Sequence, residues 1–198
     1  MPKKVDHEVR RRHIAEALHR VIDRNGLDAV SLREVAAEAG VSMGMVQHYF
    51  ATKDEMLMFA LEHLNARVGL RIAAARNRDS PRELVRAAVL ELLPLDDERR
   101  TEARIALAYL ARSVVAADLA DLLRAALPHV IGFYAEQIRI AQGDGQVPAN
   151  LDPEREATIL FALVQGLVNP ALIGHYTPEA VVAAVDYHLD RLFPCGNP

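Results

Sequence analysis

The sequence has no tryptophan, five phenylalanines, five tyrosines and one cysteine, Cys195, near its end. A lone thiol excludes an internal disulfide framework and a multi-thiolate metal site, and it suits a reducing cytoplasm. Long apolar runs are also missing. The two most apolar stretches, near 105–117 and 157–173, are broken by Arg112 or too short to span a bilayer. The basic first dozen residues lead into no apolar segment of the kind that completes a signal peptide. A soluble, cytoplasmic chain without membrane contact is therefore expected. No glycine-rich phosphate loop, internal repeat or low-complexity tract occurs. What is plentiful is Ala, Leu, Arg and Glu. Of the 198 residues, 51% are apolar and β-branched runs are short, which favours an all-α fold.

The net charge of −4 argues against a nucleic-acid binder only until it is divided along the chain. Residues 1–53 carry nine Lys and Arg against seven Asp and Glu, whereas the remainder carry fourteen against twenty. The positive excess gathers at the start, in Lys3, Lys4, Arg10, Arg11 and Arg12. Such a cluster is either a solvated helix end or part of an anion-facing surface.

Punctuation residues divide the chain into about nine helices. Asp6 reads as the cap of a first helix ending at Asn25, with Val9, Ile14, Ala17, Leu18, Val21 and Ile22 as its core stripe. Gly26 suits the left-handed position that stops it. Ser31 and Glu34 form a capping box for a second helix, whose Leu32, Val35, Ala36 and Ala39 share one face. Gly40 supplies a sharp turn, Val41 tucks inward, and Ser42 caps a third helix over 43–49. Thr52 and Glu55 form another box, opening a fourth helix with Lys53 in its first turn. That helix is expected to reach Arg76 or Arg78, before a linker to Pro81. Further helices are expected over 81–93, 96–115, 118–141, 152–174 and 177–193. Pro128 should kink or split one of them, and Pro170 should bend the next.

The three capped starts between 31 and 53 have the layout of a helix-turn-helix, in which one helix enters the major groove and its predecessor braces it. Val46 and Phe50, one turn apart, supply the inward side. Met43, Gly44, Met45, Gln47, His48 and Tyr49 are left facing outward. Gln47 and His48 can hydrogen-bond base edges or phosphates, and methionines can touch thymine methyls. Gly44 permits close approach, Ser42 and Lys53 sit at helix starts that suit phosphate, and exposed Arg33 can reach a base or the backbone. A three-helix cap without a ligand, its methionines filling a core, has the same spacing.

Residues 8–60 closely resemble the DNA-binding domain of the TetR family of bacterial transcriptional regulators. Ala36, Ala39-Gly40-Val41-Ser42, Gly44, Tyr49-Phe50, Lys53 and Leu57 carry the resemblance, with Gly26 before them. It implies DNA-facing roles for Ser31, Arg33, Ser42, Met43, Gly44, Met45, Gln47, His48, Tyr49 and Lys53. It also implies a homodimer on a palindromic double-stranded operator, usually a repressor, released when a small molecule enters the C-terminal domain. Many members carry Tyr where this chain has Gln47, and the His-Tyr-Phe ending is similar to the choline-responsive BetI-like branch.

Beyond residue 60 no catalytic or cofactor signature stands out. His7-Glu8 and His13 fail as a zinc pair, because six residues place the histidines about 240° apart around a helix. Gly143-Asp144-Gly145 lacks the later ligands of a calcium loop. Ser113, Asp118 and His129 can be written as a triad, but nothing ties them together. No metal and no cofactor are expected. Phe59, Tyr109, Leu110, Phe133, Tyr134, Gln137, Phe161 and Gln165 have the mixed character of a small-molecule pocket, and equally of an ordinary core. The acidic balance slightly favours a neutral or cationic ligand. Apolar residues cover more than one face of the last two helices, pointing to a dimer interface of Phe161, Val164, Leu167, Val168, Val181, Val185, His188 and Leu192.

The expected organisation is a helix-turn-helix domain over 1–53, with the motif at 31–50, and a ligand-binding and dimerisation domain over 54–198, the fourth helix being shared. Two rival classes remain: a helical interaction module that does not bind DNA, and a small helical enzyme.

Overall fold

The computed structural model describes residues 2–27, 29–74 and 80–194, and before residue 7 the backbone alone. Among the described residues there are nine helices and no strands. They are α1 (Pro2–Asn25), α2 (Leu32–Ala39), α3 (Met43–Tyr49), α4 (Lys53–Ala74), α5 (Pro81–Glu91), α6 (Asp97–Ser113), α7 (Ala117–Gly143), α8 (Pro153–Leu172) and α9 (Pro178–Leu192). The side chains of Lys3 and Lys4, the Arg76–Asp79 linker and Cys195 lie outside the described residues.

The caps explain most boundaries. Ser31 and Glu34 form the full box at α2, and Gly40 (φ 66°) ends the helix in the left-handed region. There the Gly40 and Val41 amides donate to the carbonyls of Ala37 and Ala36, closing the turn. Ser42, Ser80, Asp152 and Thr177 cap α3, α5, α8 and α9. Three expectations are corrected. Asp6 lies within α1, because Pro2 is tolerated in a first turn and nothing stops the helix between them. The Thr52–Glu55 box is half formed: Thr52 accepts from the Glu55 amide, but the Glu55 carboxylate reaches back to Ala51. Pro128 does not split α7, which runs unbroken from Ala117 to Gly143. Residues 124, 125 and 128 are exposed, so water can serve the carbonyl that loses its amide partner.

The chain forms two compact units, one of Met1–Arg67 with Arg104–Leu122 and the other of Val68–Ala103 with Leu123–Pro198. In the first, α1 packs on α2 and α3. Its core takes Ile14, Leu18 and Val21 from α1, Val35 and Ala39 from α2, and Val46 and Phe50 at α3. Met56, Leu57 and Leu61 of α4, with Ile105 and Tyr109 of α6, are buried there too. Val9, expected in this core, is instead half exposed.

In the second unit α9 packs on α5 and α8. A continuous cluster joins Val85, Val89 and Leu93 to Tyr134, Ile138, Leu160, Val164, Val181, Val185 and Leu189. The Arg86 guanidinium grips both carboxylate oxygens of Asp186, at 2.6 and 2.9 Å, and ties α5 to α9. This pairing holds the Asp186 carboxyl below its usual range.

Candidate nucleic-acid interface

Because α3 has seven residues, only two turns decide what it buries and what it presents. Val46 and the capping residue Phe50 are wholly buried, which turns the intervening side chains away from the core. Met43 is 49% and Met45 40% exposed, a state that costs apolar methionines hydration unless a partner covers them. Gly44, Gln47 and His48 are exposed, and Tyr49 is half-buried. Met43 and Gln47, like Gly44 and His48, are one turn apart and lie on adjacent outward rows.

The bracing residues are fixed by local bonds. The hydroxyl of Ser31 accepts the Glu34 amide at 3.2 Å, and Ser42 accepts the Met45 amide at 3.1 Å. Arg33 is exposed on α2 and makes no ion pair with the described residues. Lys53 is less free than its sequence position suggests. Its Nζ donates to the Val30 carbonyl at 2.6 Å and is partly buried, tying the start of α4 to the residue before the α2 cap.

Within the basic run at the head of α1, Arg11 and Arg12 are not free positive charges. Arg12 pairs with Glu8 at 2.7 Å, and Arg11 turns inward to Glu55. Arg20 and Arg24 both pair with Glu38, whose carboxyl they hold below its usual range, Arg20 contributing most. Two features had no sequence signal. The His7 ring packs 4.7 Å from Tyr49, whose other neighbour is the His48 ring at 5.2 Å, so that an imidazole 42 positions away lies against the recognition helix. His13 donates from Nε2 to the last α2 carbonyl, Ala39, at 2.9 Å.

A pair of imidazoles lies deeper, between α1 and α4. His19 and His63 stack with ring centres 6.5 Å apart. Burial lowers the His19 pKa to about 4, helped by His63 and Arg67 and opposed by a bond to the Ala60 backbone. Burial also lowers His63, against the pull of Glu16 at 3.7 Å. Both are neutral near pH 7 and belong to the packing of this unit.

The pocket candidates are dispersed. Phe59 packs on Phe50 with ring centres 5.6 Å apart and is occupied by the core of the first unit. Tyr109 is fully buried, and burial raises its hydroxyl's pKa; Leu110 beside it is exposed. In the second unit Phe133 meets Tyr134 edge-on at 5.6 Å, Tyr134 is buried, Gln137 and Phe161 are half-buried, and Gln165 is exposed. A charged cleft of about 350 Å³ in this unit is lined by Arg71, Arg86 and Arg99, whose guanidiniums are committed to Glu91, Glu102, Asp186 and Asp96. Ser113 and His129 each bond a carbonyl of their own helix, which accounts for both without a triad.

Five of the eight residues expected at a dimer interface lie inside the fold. Val164, Leu167, Val181, Val185 and Leu192 belong to the chain's own core, so they have almost no surface left for a partner. A helix that is apolar nearly all round does not declare which face turns inward. Phe161, Val168 and His188 are half-buried, and the outward faces of α8 and α9 carry Ile159, 50% exposed, and Tyr187, 65% exposed.

Residues 14–58 match bacterial regulatory proteins of the tetR family, and residues 81–194 match the C-terminal domain of BetI-type transcriptional repressors. The chain belongs to the TetR family of bacterial transcriptional regulators. It is similar to the HTH-type transcriptional regulator PksA of Bacillus subtilis, 36% identical over 178 residues that cover 87% of this chain and 83% of that one. A transcriptional regulator from Rhodococcus sp. Rha1 superposes with a TM-score of 0.85 at 32% identity, covering 95% of this chain and 99% of the other. A transcriptional regulator from Saccharomonospora viridis in complex with choline gives 0.84 at 25% identity, covering 92% and 96%. The protein is thus a DNA-binding transcriptional regulator from a family of regulators, not of enzymes. Among the described residues no helix is long and apolar enough to cross a membrane.

Proposed function

We propose that this regulator is a cytoplasmic homodimeric repressor of a palindromic operator, released by a small neutral or cationic effector. The observation that carries the DNA half is α3, which holds Met43, Met45, Gln47 and His48 outward from the buried pair Val46 and Phe50. Ser31, Arg33, Ser42, Gly44, Tyr49 and Lys53 complete the proposed contact set. Repression is supported by the BetI-type match over 81–194, and a cation by the choline held in a structural relative. Phe133, Tyr134, Gln137 and Phe161 of the second unit are the candidate effector residues. Effector binding would favour a spacing of the two recognition helices that no longer fits major grooves about 34 Å apart.

Self-association is assigned to the outward faces of α8 and α9, through Ile159, Ala162, Gly166, Ala183 and Tyr187, with Phe161, Val168 and His188 at their edges. A side chain on Gly166 would meet nothing within 4 Å in its own chain, so the surface there is open to close approach. Fluorescence anisotropy with the duplex upstream of the protein's own gene tests the reading. Salt-sensitive binding is expected, along with release by choline as the probe. Indifference to that duplex and to every upstream region tried would overturn the operator reading, and binding unaffected by choline would remove the cation. Gly166→Arg should turn a sedimenting dimer into a monomer, and an unchanged dimer would move the interface elsewhere.

A further inference from the structure

We propose that Arg11 is a positioning residue for operator reading, acting through the end of the recognition helix, and not a ligand of DNA phosphate. It sits in the basic run at the head of α1, where charge alone would assign it to the phosphate backbone. Its surroundings point elsewhere. The guanidinium carbon lies 4.6 Å from the centre of the Phe50 ring and 4.4 Å from that of Phe59. Nη2 donates to Glu55 Oε1 at 2.9 Å, leaving the Arg11 side chain only 24% exposed. The other oxygen of the same carboxylate accepts the Ala51 amide at 2.8 Å.

These contacts converge on one short piece of backbone. Phe50 caps α3, Ala51 follows it, and Thr52 caps the Glu55 amide at 3.0 Å. One side chain from α1 therefore reaches both ends of the turn by which the chain leaves the recognition helix. It stacks on the residue before the turn and pairs with the residue after it. Lys53 secures the far side through the Val30 carbonyl.

The chemistry explains why an arginine is needed. A planar guanidinium can lie on aromatic faces while its edge donates to a carboxylate, and an ammonium cannot do both. Pairing with Glu55 cancels the charge that a phosphate would attract. The need for positioning follows from the size of α3. Two helical turns with only Val46 and Phe50 fully buried can pivot about that line, and base-edge hydrogen bonds weaken steeply with misalignment. Holding Phe50 sets the pitch of the helix in the groove.

The proposal rests on DNA binding by α3, and its test separates the two. The wild type first selects a duplex from a random-sequence pool; if it selects none, the operator reading fails and this proposal with it. Affinities are then measured for that duplex and a scrambled one of equal length, over a range of salt, for wild type, Arg11→Met, Arg11→Lys and Glu55→Gln. Arg11→Met is expected to lose about tenfold on the selected duplex and little on the scrambled one, with an unchanged salt slope. Arg11→Lys should not restore it, and Arg11→Met with Glu55→Gln should lose no more than Arg11→Met alone. Equal loss on both duplexes with a slope shallower by about one would make Arg11 a phosphate ligand and overturn the proposal. Circular dichroism and titration of the active fraction accompany each variant. If the selected-to-scrambled ratio is unchanged once inactive protein is discounted, Arg11 merely supports the fold, and the proposal is equally overturned.

Discussion

The two compact units use their charged groups differently. In the first unit, besides the α1–α2 pairs of Arg20 and Arg24 with Glu38, long polar side chains reach turns and helix ends: His13 to the Ala39 carbonyl, Lys53 to Val30, and Arg11 with Glu55 around Ala51. In the second, the principal pairs join one helix face to another, as with Arg86 and Asp186, or Arg71 with Glu91 and Glu102. A unit that must aim a two-turn helix has to fix backbone direction, and it does so with hydrogen bonds and stacking. A unit whose long helices share a broad apolar cluster is already held in register by burial, and its ion pairs add alignment.

The largest expected effects test whether the units really differ in this way. Phe50→Ala should cost about 3–5 kcal/mol, because it empties a buried aromatic site and removes the platform under Arg11. Leu160→Ala in the second unit should cost about 2–5 kcal/mol. Hydrogen exchange resolves the two. Phe50→Ala should first expose amides of α1 to α3, and Leu160→Ala those of α5, α8 and α9. Matching loss of protection everywhere in both variants would break the comparison.

Acid provides the next test. His19 in the fold has a pKa of about 4 against 6.5 for a free imidazole side chain, so the unfolded chain binds the proton first. The resulting stabilisation is fully present above about pH 6.5 and lost as pH falls toward 4, to the extent of about 3 kcal/mol. His63 adds to the loss in the same direction. Urea melts at pH 7 and pH 4.5 should show the drop, and His19→Leu should shrink it. An equal drop in that variant would place the acid sensitivity outside this pair. A smaller effect is expected at Gly40, where φ is 66° and Gly40→Ala should cost about 1–2 kcal/mol by thermal melting. A neutral result there would mean that the turn relaxes and that aim is set by the Arg11 contacts alone.

The head was legible because its signals are local. A serine, a glutamate three residues on and a glycine at the end leave few conformations for α2, and a seven-residue helix with Val46 and Phe50 inward has one way to face. Contacts between distant segments were not legible. His7 and Arg11 are 42 and 39 positions from Tyr49 and Phe50, and nothing in a basic run says which arginine will turn inward. Five of the eight residues expected at an interface on α8 and α9 lie in the core for a related reason. The stripe Val181, Val185 and Leu192 has the pattern of a surface for a partner, whereas the chain's own core takes its most regular stripe first.

The sequence by itself determined the helices, most of their caps, the outward row of α3 and, through the motif between Gly26 and Leu57, membership of a family of DNA-binding regulators. These depend on backbone preferences and hydrogen bonds that close within a few residues. Only the tertiary structure decided which apolar faces are spent inside the chain, which imidazoles are stripped of water, and which cation of the basic run holds the recognition helix instead of facing solvent. Those outcomes depend on burial and on the partner each side chain meets across the fold, and no spacing along the chain encodes either.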